Sequence, residues 1–347
     1  MEAFEALRIG NVTVKNRLAV PPMVCYHWTG GDGYVTQRTL DHYEAFAEGG
    51  FGLVIVEATA VTKRSRLHET ELGLWEDGQV AGFAEIVRRV HAHGAKIFVQ
   101  LVHAGIHGID PEAETASDLP ERNGITGHEM SVQRIRETTE DFVAAALRAK
   151  AAGVDGIEIH GCHGYLLSQF MNSRLNFRAD AYGRDRTLFA KEVLTAVRAA
   201  VPDLTVGIRL GVFEPKLEDG ILHARELAPY TNFLDLSYGG DCDPEKPVGF
   251  PCSAAVYGAS RVKALLPDMP VFAVDHINSA EDVKNVLALG IDVADIGRAA
   301  LVDPAFARHV LNGENAGRCL YCASCRWRPT GMKDPARKCA GAELFKR

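Results

Sequence analysis

The sequence lacks any long apolar run, and this absence excludes a protein that spans a membrane. Nowhere among the 347 residues do apolar side chains approach the eighteen consecutive positions that a transmembrane helix needs. The start of the chain also lacks the basic segment followed by an apolar run that marks a secretion signal. We therefore expect a cytoplasmic protein without a membrane partner.

Positive charge is also scarce. The chain has 38 lysines and arginines against 45 aspartates and glutamates, which gives a net charge of -7. A nucleic-acid-binding protein needs an excess of positive charge, so we exclude nucleic acid as the main partner. The 47% of hydrophobic residues suffices for a large core. A small-molecule substrate is expected, and assembly into a homo-oligomer is compatible with this composition.

No glycine-rich G-x-G-x-x-G segment follows a predicted strand, which disfavours a doubly wound open sheet. Short β-branched runs instead alternate with helical patterns, and the connections are long enough for parallel strands. Eight strands are predicted: Leu18–Met23, Leu53–Ala58, Lys96–Leu101, Gly156–His160, Thr205–Leu210, Phe233–Ser237, Val271–Val274 and Asp292–Ile296. The pattern predicts an α/β fold, a (β/α)₈ TIM barrel over residues 1–312, followed by a short C-terminal cysteine-containing extension over residues 313–347.

Capping patterns mark some helix ends. Thr138 offers a start for the helix before the fourth strand, and Gly153 a left-handed end. Ser279 is suited to cap the helix between the last two strands. Residues 103–137 have no regular pattern, and we expect a long polar loop there.

Several polar residues, together with a proline, a methionine, an alanine and a glycine, lie where the predicted strands end. Barrel enzymes have their active sites at these strand ends. These residues are Pro22, Met23, Ala58, Gln100, His160, Arg209, Gly297 and Arg298. Such a set suits a polar aromatic cofactor better than an apolar ligand. A buried arginine is costly without an anion, so we expect Arg209 to meet an anionic ligand rather than a structural salt bridge. Gly297 and Arg298 fit the phosphate site that many barrels have after their last strands.

The densest group follows the fourth strand and contains His160, His163 and Tyr165. Two imidazoles can donate hydrogen bonds to one oxygen, and a phenol can donate a proton, so the group suggests oxyanion binding with proton donation. Two other interpretations are a histidine pair satisfied by loop backbone, and a metal site. A zinc site would need a third protein ligand.

These segments together resemble the Old Yellow Enzyme family of flavin oxidoreductases, over about residues 4–312. The most specific stretch runs from Ala152 through His160, His163 and Tyr165 to Tyr182-Gly183. The opening strand with Pro21-Pro22-Met23, the run Gln100–Gly105 and the closing Ile296-Gly297-Arg298 are similar to family motifs as well. Their order along the chain makes the resemblance specific.

The resemblance implies FMN at the carboxyl-terminal mouth of the barrel, with NAD(P)H as an electron donor. It implies that Pro22, Met23 and Ala58 contact the flavin ring, that Gln100 bonds its pyrimidine edge, and that Arg209 lies near N1 and O2. Gly297 and Arg298 would hold the phosphate. His160 and His163 would bind the carbonyl oxygen of an α,β-unsaturated substrate, and Tyr165 would protonate its α-carbon.

The chain departs from the family pattern after the seventh strand. Relatives often have two glycines there, whose amides approach the phosphate, and this chain has Asp275-His276. A carboxylate beside a phosphate is unfavourable, so we expect a different arrangement of this loop. Val24 stands where relatives often have a cysteine or threonine that touches the flavin.

Four of the eight cysteines lie in the C-terminal extension as C-x₂-C-x₂-C-x₁₃-C: Cys319, Cys322, Cys325 and Cys339. The first three match the spacing of bacterial ferredoxins. The segment also resembles the cluster-binding tail of the 2,4-dienoyl-CoA reductase and trimethylamine dehydrogenase branch, although the register there is usually C-x₂-C-x₃-C. We expect a [4Fe–4S] cluster. Structural zinc and free thiols are the alternatives.

The function expected from the whole pattern is FMN-dependent reduction of an activated C=C bond in an enone, enal or dienoyl thioester. One alternative is an amine dehydrogenase or demethylase, for which Tyr26, Trp28 and Tyr257 could form an aromatic cage. Another is a non-catalytic flavin and iron–sulfur electron-transfer subunit. Electrons could also arrive from a donor protein.

Overall fold

A computed structural model describes residues 2–328 and 338–346 of the chain. The described strands are β1 Leu7–Ile9, β2 Val12–Val14, β3 Leu18–Val20, β4 Leu53–Ala60, β5 Leu72–Gly73, β6 Lys96–Val102, β7 Glu112–Thr115, β8 Leu119–Arg122, β9 Ile125–Glu129, β10 Gly156–Gly161, β11 Thr205–Gly211, β12 Leu234–Ser237, β13 Val271–Ala273 and β14 Val293–Asp295. The α-helices are α1 Gln37–Glu48, α2 Val80–Ala92, α3 Val132–Ala152, α4 Leu166–Met171, α5 Ala181–Arg184, α6 Leu188–Ala200, α7 Leu217–Leu227, α8 Ala254–Leu265, α9 Ala280–Ala288, α10 Arg298–Val302, α11 Phe306–Asn312 and α12 Ala340–Phe345. Three 3₁₀ turns cover Asp77–Gln79, Gly105–His107 and Ala228–Tyr230.

Eight parallel strands close into a barrel in the order β3, β4, β6, β10, β11, β12, β13 and β14, and β14 pairs back to β3. The predicted (β/α)₈ barrel is confirmed, and each predicted strand overlaps one of these eight. The first strand ends at Val20 rather than Met23. Pro21 and Pro22 follow, and because proline has no N–H the ladder cannot continue through them.

The amino-terminal end of the barrel is filled by aromatic rings. Phe98 and Phe272 lie on either side of Phe233, with ring centroids 5.4 and 4.7 Å from the Phe233 ring. The hairpin β1–β2 packs against the same cluster through Ile9, Val12 and Val14. This end is therefore solid, and only the opposite end can hold a ligand.

The predicted polar loop over residues 103–137 is wrong in part. Strands β7, β8 and β9 form a three-stranded sheet within it, and α3 begins at Val132 instead of near Thr138. Ser131 is the cap, since its hydroxyl accepts from the backbone N–H of Arg134. Arg134 also bonds Glu114 of β7 at 2.5 Å, which fixes the helix start against the small sheet.

Two predicted caps are confirmed. Gly153 ends α3 with φ of 86°, a left-handed conformation that most other residues avoid. Ser279 caps α9 by accepting from the N–H of Asp282.

Of the expected extension, residues 329–337 and Arg347 lie outside the described residues. Throughout the described part of the chain, no helix has both the length and the apolarity needed to cross a membrane.

Candidate active site

The carboxyl end of β10 carries the group predicted as the reaction centre. His160 lies at the end of the strand, His163 follows in a turn with φ of 63°, and Tyr165 immediately precedes α4. The ring centroid of His160 is 5.2 Å from that of His163 and 4.8 Å from that of Tyr165. The structure therefore brings the three side chains together, and we call them the His–Tyr cluster.

Neighbouring loops hold the cluster in place. The backbone N–H of His163 donates to Glu214 Oε1 at 2.6 Å, and Nε2 of His163 lies 2.9 Å from the hydroxyl of Ser237. Glu214 also accepts from the hydroxyl of Ser168 in α4. These contacts join the ends of β10 and β12, so the orientation of His163 depends on three segments of the barrel mouth.

Burial sets the protonation of the cluster. It lowers the pKa of His163 to about 3, and the nearby Arg209 charge acts in the same direction. It also moves the pKa of His160 well below its ordinary value, with His163 and Arg209 adding to the effect. Burial, with Tyr26 and Glu71 close by, raises the pKa of Tyr165. At neutral pH both imidazoles are neutral and the phenol keeps its proton.

A cavity of about 340 Å³ opens at the carboxyl ends of β11, β12, β13 and β14. The residues of the His–Tyr cluster do not line it, but Ser237 does, and Ser237 contacts His163. Five residues predicted to bind a cofactor line it: Pro22, Met23, Arg209, Gly297 and Arg298. Ala58 and Gln100 are buried and are not among the residues that line it. The amide nitrogen of Gln100 donates to Glu158 Oε1 at 2.7 Å.

Arg209 has an internal carboxylate partner, which corrects the expectation of a ligand in place of a salt bridge. Its Nη1 lies 2.8 Å from Asp235 Oδ2, because Arg209 and Asp235 are register partners on β11 and β12. The two groups are close, but their geometry does not satisfy a hydrogen bond. Both Nε and Nη1 of the buried guanidinium therefore lack a hydrogen-bond acceptor among the described residues. Arg209 can thus still donate to a ligand in the cavity.

Three buried acids inside the barrel escaped the sequence analysis: Glu158, Asp235 and Asp295, here called the carboxyl cluster. Burial and the charge of Asp235 raise the pKa of both Glu158 and Asp295. Apart from Glu158 Oε1, which accepts from Gln100, their oxygens lack a hydrogen-bond donor among the described residues when all three acids are ionised. Protons on Glu158 and Asp295 supply such donors. The period of two along a strand could have found two of them, since Glu158 precedes His160 by two residues and Asp235 precedes Ser237 by two.

The loop after β13 keeps a glycine-like backbone without glycine. Asp275 has φ of 89° and His276 φ of 57°, both in the left-handed region. Asp275 Oδ1 lies 2.9 Å from Arg298 Nη2 and 2.7 Å from His276 Nδ1. The departure from the family pattern is therefore electrostatic, because Asp275 forms an ion pair with Arg298, the arginine that the resemblance assigns to the phosphate.

The start of the cysteine tail lies against this loop through Cys319 and Tyr321. The side chain of Asn278 donates to the carbonyl of Cys319 at 3.0 Å and accepts from its N–H at 2.6 Å. The Tyr321 ring stacks on His276 with centroids 4.8 Å apart and faces the Arg298 guanidinium at 4.6 Å. Four cysteines line one cavity of about 390 Å³: Cys319, Cys322, Cys325 and Cys339.

The aromatic residues named for an amine cage have separate partners. Tyr26 contacts His68, Trp28 packs on His42 under the Arg38 guanidinium, and Tyr257 packs on Phe250. A cation already covers Trp28, which disfavours a second one there.

Known proteins share this sequence and fold. The model of the NADH:flavin oxidoreductase / NADH oxidase family matches residues 2–316. The chain is 34% identical to the NADPH dehydrogenase of Clostridium acetobutylicum over 326 residues, which cover 88% of this chain and 93% of that protein. It is also 34% identical to the NADH oxidase of Thermoanaerobacter brockii, covering 92% of this chain but only 52% of that protein.

Among solved structures, an Old Yellow Enzyme from Pichia sp. AKU4542 superimposes with a TM-score of 0.79 at 25% identity, covering 94% of this chain and 89% of that one. The length of the family match and the identity to the clostridial dehydrogenase settle the family. The chain belongs to the NADH:flavin oxidoreductase / NADH oxidase family, the flavin-dependent oxidoreductases that include the Old Yellow Enzymes.

Proposed function

We propose that the protein reduces an activated C=C bond in an enone, enal or dienoyl thioester, with FMN as cofactor and NAD(P)H as electron donor. The observation that carries the proposal is the convergence of two neutral imidazoles and a protonated phenol within one turn of the barrel mouth, beside a cavity. Together they can bind a carbonyl oxygen and deliver a proton.

The residues present fit FMN. Nε and Nη1 of Arg209 have no hydrogen-bond acceptor among the described residues, and the pyrimidine edge of a flavin offers such acceptors. Pro22, Met23 and Ala58 would contact the ring, and Gln100 would bond its pyrimidine edge. Gly297 and Arg298 would hold the phosphate. When bound, FMN supplies the hydride from its N5 atom.

The protein's own groups would orient and protonate the substrate. His160 and His163 each carry one N–H as neutral imidazoles, and both can donate to the carbonyl oxygen, which draws electron density from the β-carbon. Tyr165 would then give its proton to the α-carbon. Burial of the cluster strengthens these hydrogen bonds because water does not compete for them.

We also propose that residues 1–312 act as the catalytic barrel and residues 313–347 as an extension that holds a [4Fe–4S] cluster through Cys319, Cys322, Cys325 and Cys339. What supports the extension as a metal-binding segment is that all four cysteines line one cavity, as the ligands of a single metal centre would. The first three also have the spacing of a bacterial ferredoxin run.

The test begins with anaerobically purified protein, whose visible spectrum and flavin, iron and zinc contents are measured. We expect flavin bands, about one FMN per chain, and oxidation of NADH or NADPH that depends on a cyclic enone. A protein that neither contains FMN nor binds added FMN would overturn the proposal. Iron content that disappears in Cys319→Ser and persists in Cys252→Ser would support the tail cluster, and iron-free protein would contradict it.

A further inference from the structure

The turn after β10 contains a third metal-ligating side chain between the two histidines. Cys162 is fully buried, and its Sγ lies 3.5 Å from Nδ1 of His160. One ligand atom from each of His160, Cys162 and His163 lies within 4.8 Å of the other two, and no other trio of this kind occurs in residues 2–328 and 338–346. A zinc site with three protein ligands requires such a set.

The spacing agrees with tetrahedral coordination. Bonds of about 2.3 Å to sulfur and about 2.05 Å to nitrogen place the two ligand atoms about 3.6 Å apart. The distance observed between Cys162 and His160 is 3.5 Å, so this half of the site needs almost no rearrangement. The ring of His163 lies close to this pair, with its centroid 5.2 Å from that of His160.

The surroundings can accept a cation. Arg209 is the nearby positive charge, and Asp235 neutralises it in an ion pair. Glu214 lies at the same turn, where its Oε1 accepts from the backbone N–H of His163. Ser237 fixes the ring of His163, as outer partners do for metal-binding histidines.

We propose that His160, Cys162 and His163 form a binding site for a thiophilic divalent cation such as Zn²⁺, and that the bound ion inhibits the enzyme. Ser237 contacts Nε2 of His163, so Nδ1 is the nitrogen that would coordinate the ion. With both ring nitrogens engaged, His163 has no N–H left to donate to the carbonyl oxygen of the substrate. The thiol proton of Cys162 passes to solvent as the thiolate binds the ion, and a solvent molecule completes the fourth position.

The experiment measures inhibition of enone reduction by Zn²⁺ in the holoenzyme and in two variants. In Cys162→Ala, which retains both histidines, we expect the inhibition constant to rise by at least about 100-fold, more than the loss of an outer hydrogen bond costs. The tail variant Cys319→Ser/Cys322→Ser should keep wild-type inhibition. Mg²⁺ should have no effect at the same concentration, because it prefers oxygen ligands. Equal inhibition of wild type and Cys162→Ala, or its loss in the tail variant, would overturn the proposal.

A second readout does not depend on activity and so separates this proposal from the proposed function. X-ray absorption of Zn²⁺ bound to the tail variant should show one sulfur at about 2.3 Å and two nitrogens at about 2.0–2.1 Å. Removing Cys162 in that background should remove the sulfur. Zinc bound through nitrogen and oxygen alone, or no bound zinc, would refute the site even in an active enzyme.

Discussion

Burial, more than local sequence, determines how each group at the reaction centre can act. A histidine in water is partly protonated near neutral pH, whereas burial lowers the pKa of His163 to about 3. Both imidazoles therefore donate as neutral groups across the physiological range. Tyr165 is pushed the other way, and with a raised pKa it always has a proton to give.

Replacement of Tyr165 by phenylalanine tests the proposed proton donor. We expect enone reduction to slow by about 10²- to 10⁴-fold, the usual contribution of a positioned acid. Reduction of FMN by NAD(P)H should be unchanged, because no proton from Tyr165 enters that half-reaction. Stopped-flow absorbance separates the two half-reactions. Tyr182→Phe, which removes a phenol bonded to Glu192 instead, is the matched control and should affect neither. Equal slowing of both half-reactions in Tyr165→Phe would contradict the role.

Asp275 should weaken the binding of FMN, because it neutralises the arginine assigned to the phosphate. Asp275→Asn removes the charge and keeps a residue that tolerates positive φ. The Arg298 side chain is 44% exposed, so solvent screens the effect, and we expect about tenfold tighter binding rather than the several kcal/mol of an enclosed pair. Fluorescence titration of the apoprotein with FMN measures it. His276→Asn leaves Asp275 in place and should bind as wild type does. Unchanged or weaker binding by Asp275→Asn would show that Arg298 does not hold the phosphate.

At the scale of elements, the positions of the barrel strands could be predicted from the sequence, whereas the start of α3 could not. Runs such as Leu53–Ala60 are buried along their whole length, so a continuous apolar pattern reveals them. The start of α3 was missed because Thr138 is of a residue type that often caps helices, yet it lies buried within this helix. Ser131, the actual cap, follows a stretch whose sequence shows no regular pattern.

The site was predictable only where its residues are close in sequence. His160, His163 and Tyr165 are local, so the motif identifies them. The pair of Arg209 with Asp235 depends on the register between β11 and β12, which no local pattern encodes. The left-handed backbone at Asp275 and His276 is equally invisible, because neither residue type demands that conformation.

The close packing of aromatic rings at the amino-terminal end of the barrel leads to a prediction about Gly207 in β11. A Cβ atom at Gly207 would lie 2.2 Å from the Phe233 ring, which is itself stacked between two other rings. Gly207→Ala should lower the free energy of unfolding by about 1–3 kcal/mol through overpacking. Urea denaturation measures this loss. FMN affinity should not change, since Gly207 is at the end away from the cavity. Gly30→Ala, whose nearest neighbour would be 3.6 Å away, is the control. A stability equal to wild type would show that the ring stack adjusts freely.

At the scale of the whole molecule, two sets of buried groups oppose each other as pH falls. Burial lowers the pKa of His42 and His163 to about 3 and of His223 to about 4, and it moves the pKa of His160 well below its ordinary value. Burial also raises the pKa of Glu57 and Glu214 to about 7, and it raises the pKa of Glu71, Glu158 and Asp295 as well. The first set makes the unfolded chain bind more protons than the native state, and the second makes it bind fewer.

The balance between these sets predicts the shape of the acid stability curve. Between pH 6.5 and 4.5 the unfolded histidines are protonated while the folded ones are not, which destabilises the native state as pH falls. Over the same range the buried carboxyls of the folded protein hold protons that the unfolded ones lack, which stabilises it, so the slope should be shallow. Below about pH 4.5 most of these carboxyls are protonated in both states, and the histidine effect dominates. Each of the four histidines contributes about 1.4 kcal/mol per pH unit, so stability should then fall by up to about 5 kcal/mol per pH unit until the folded histidines titrate.

Urea denaturation at fixed excess FMN, in steps from pH 7 to pH 4, measures this curve. His223→Leu removes one of the four histidines without touching the His–Tyr cluster, so its slope below pH 4.5 should be smaller by about a quarter. Leu222→Ala, next to it in α7 and without a titratable group, is the control and should leave the slope unchanged. A uniform slope through pH 4.5 in the wild type would mean that the buried glutamates are ionised in the native state. Their contacts with Cys25 and His163 would then hold a charge inside the barrel mouth, and the neutral His–Tyr cluster would have to work beside it.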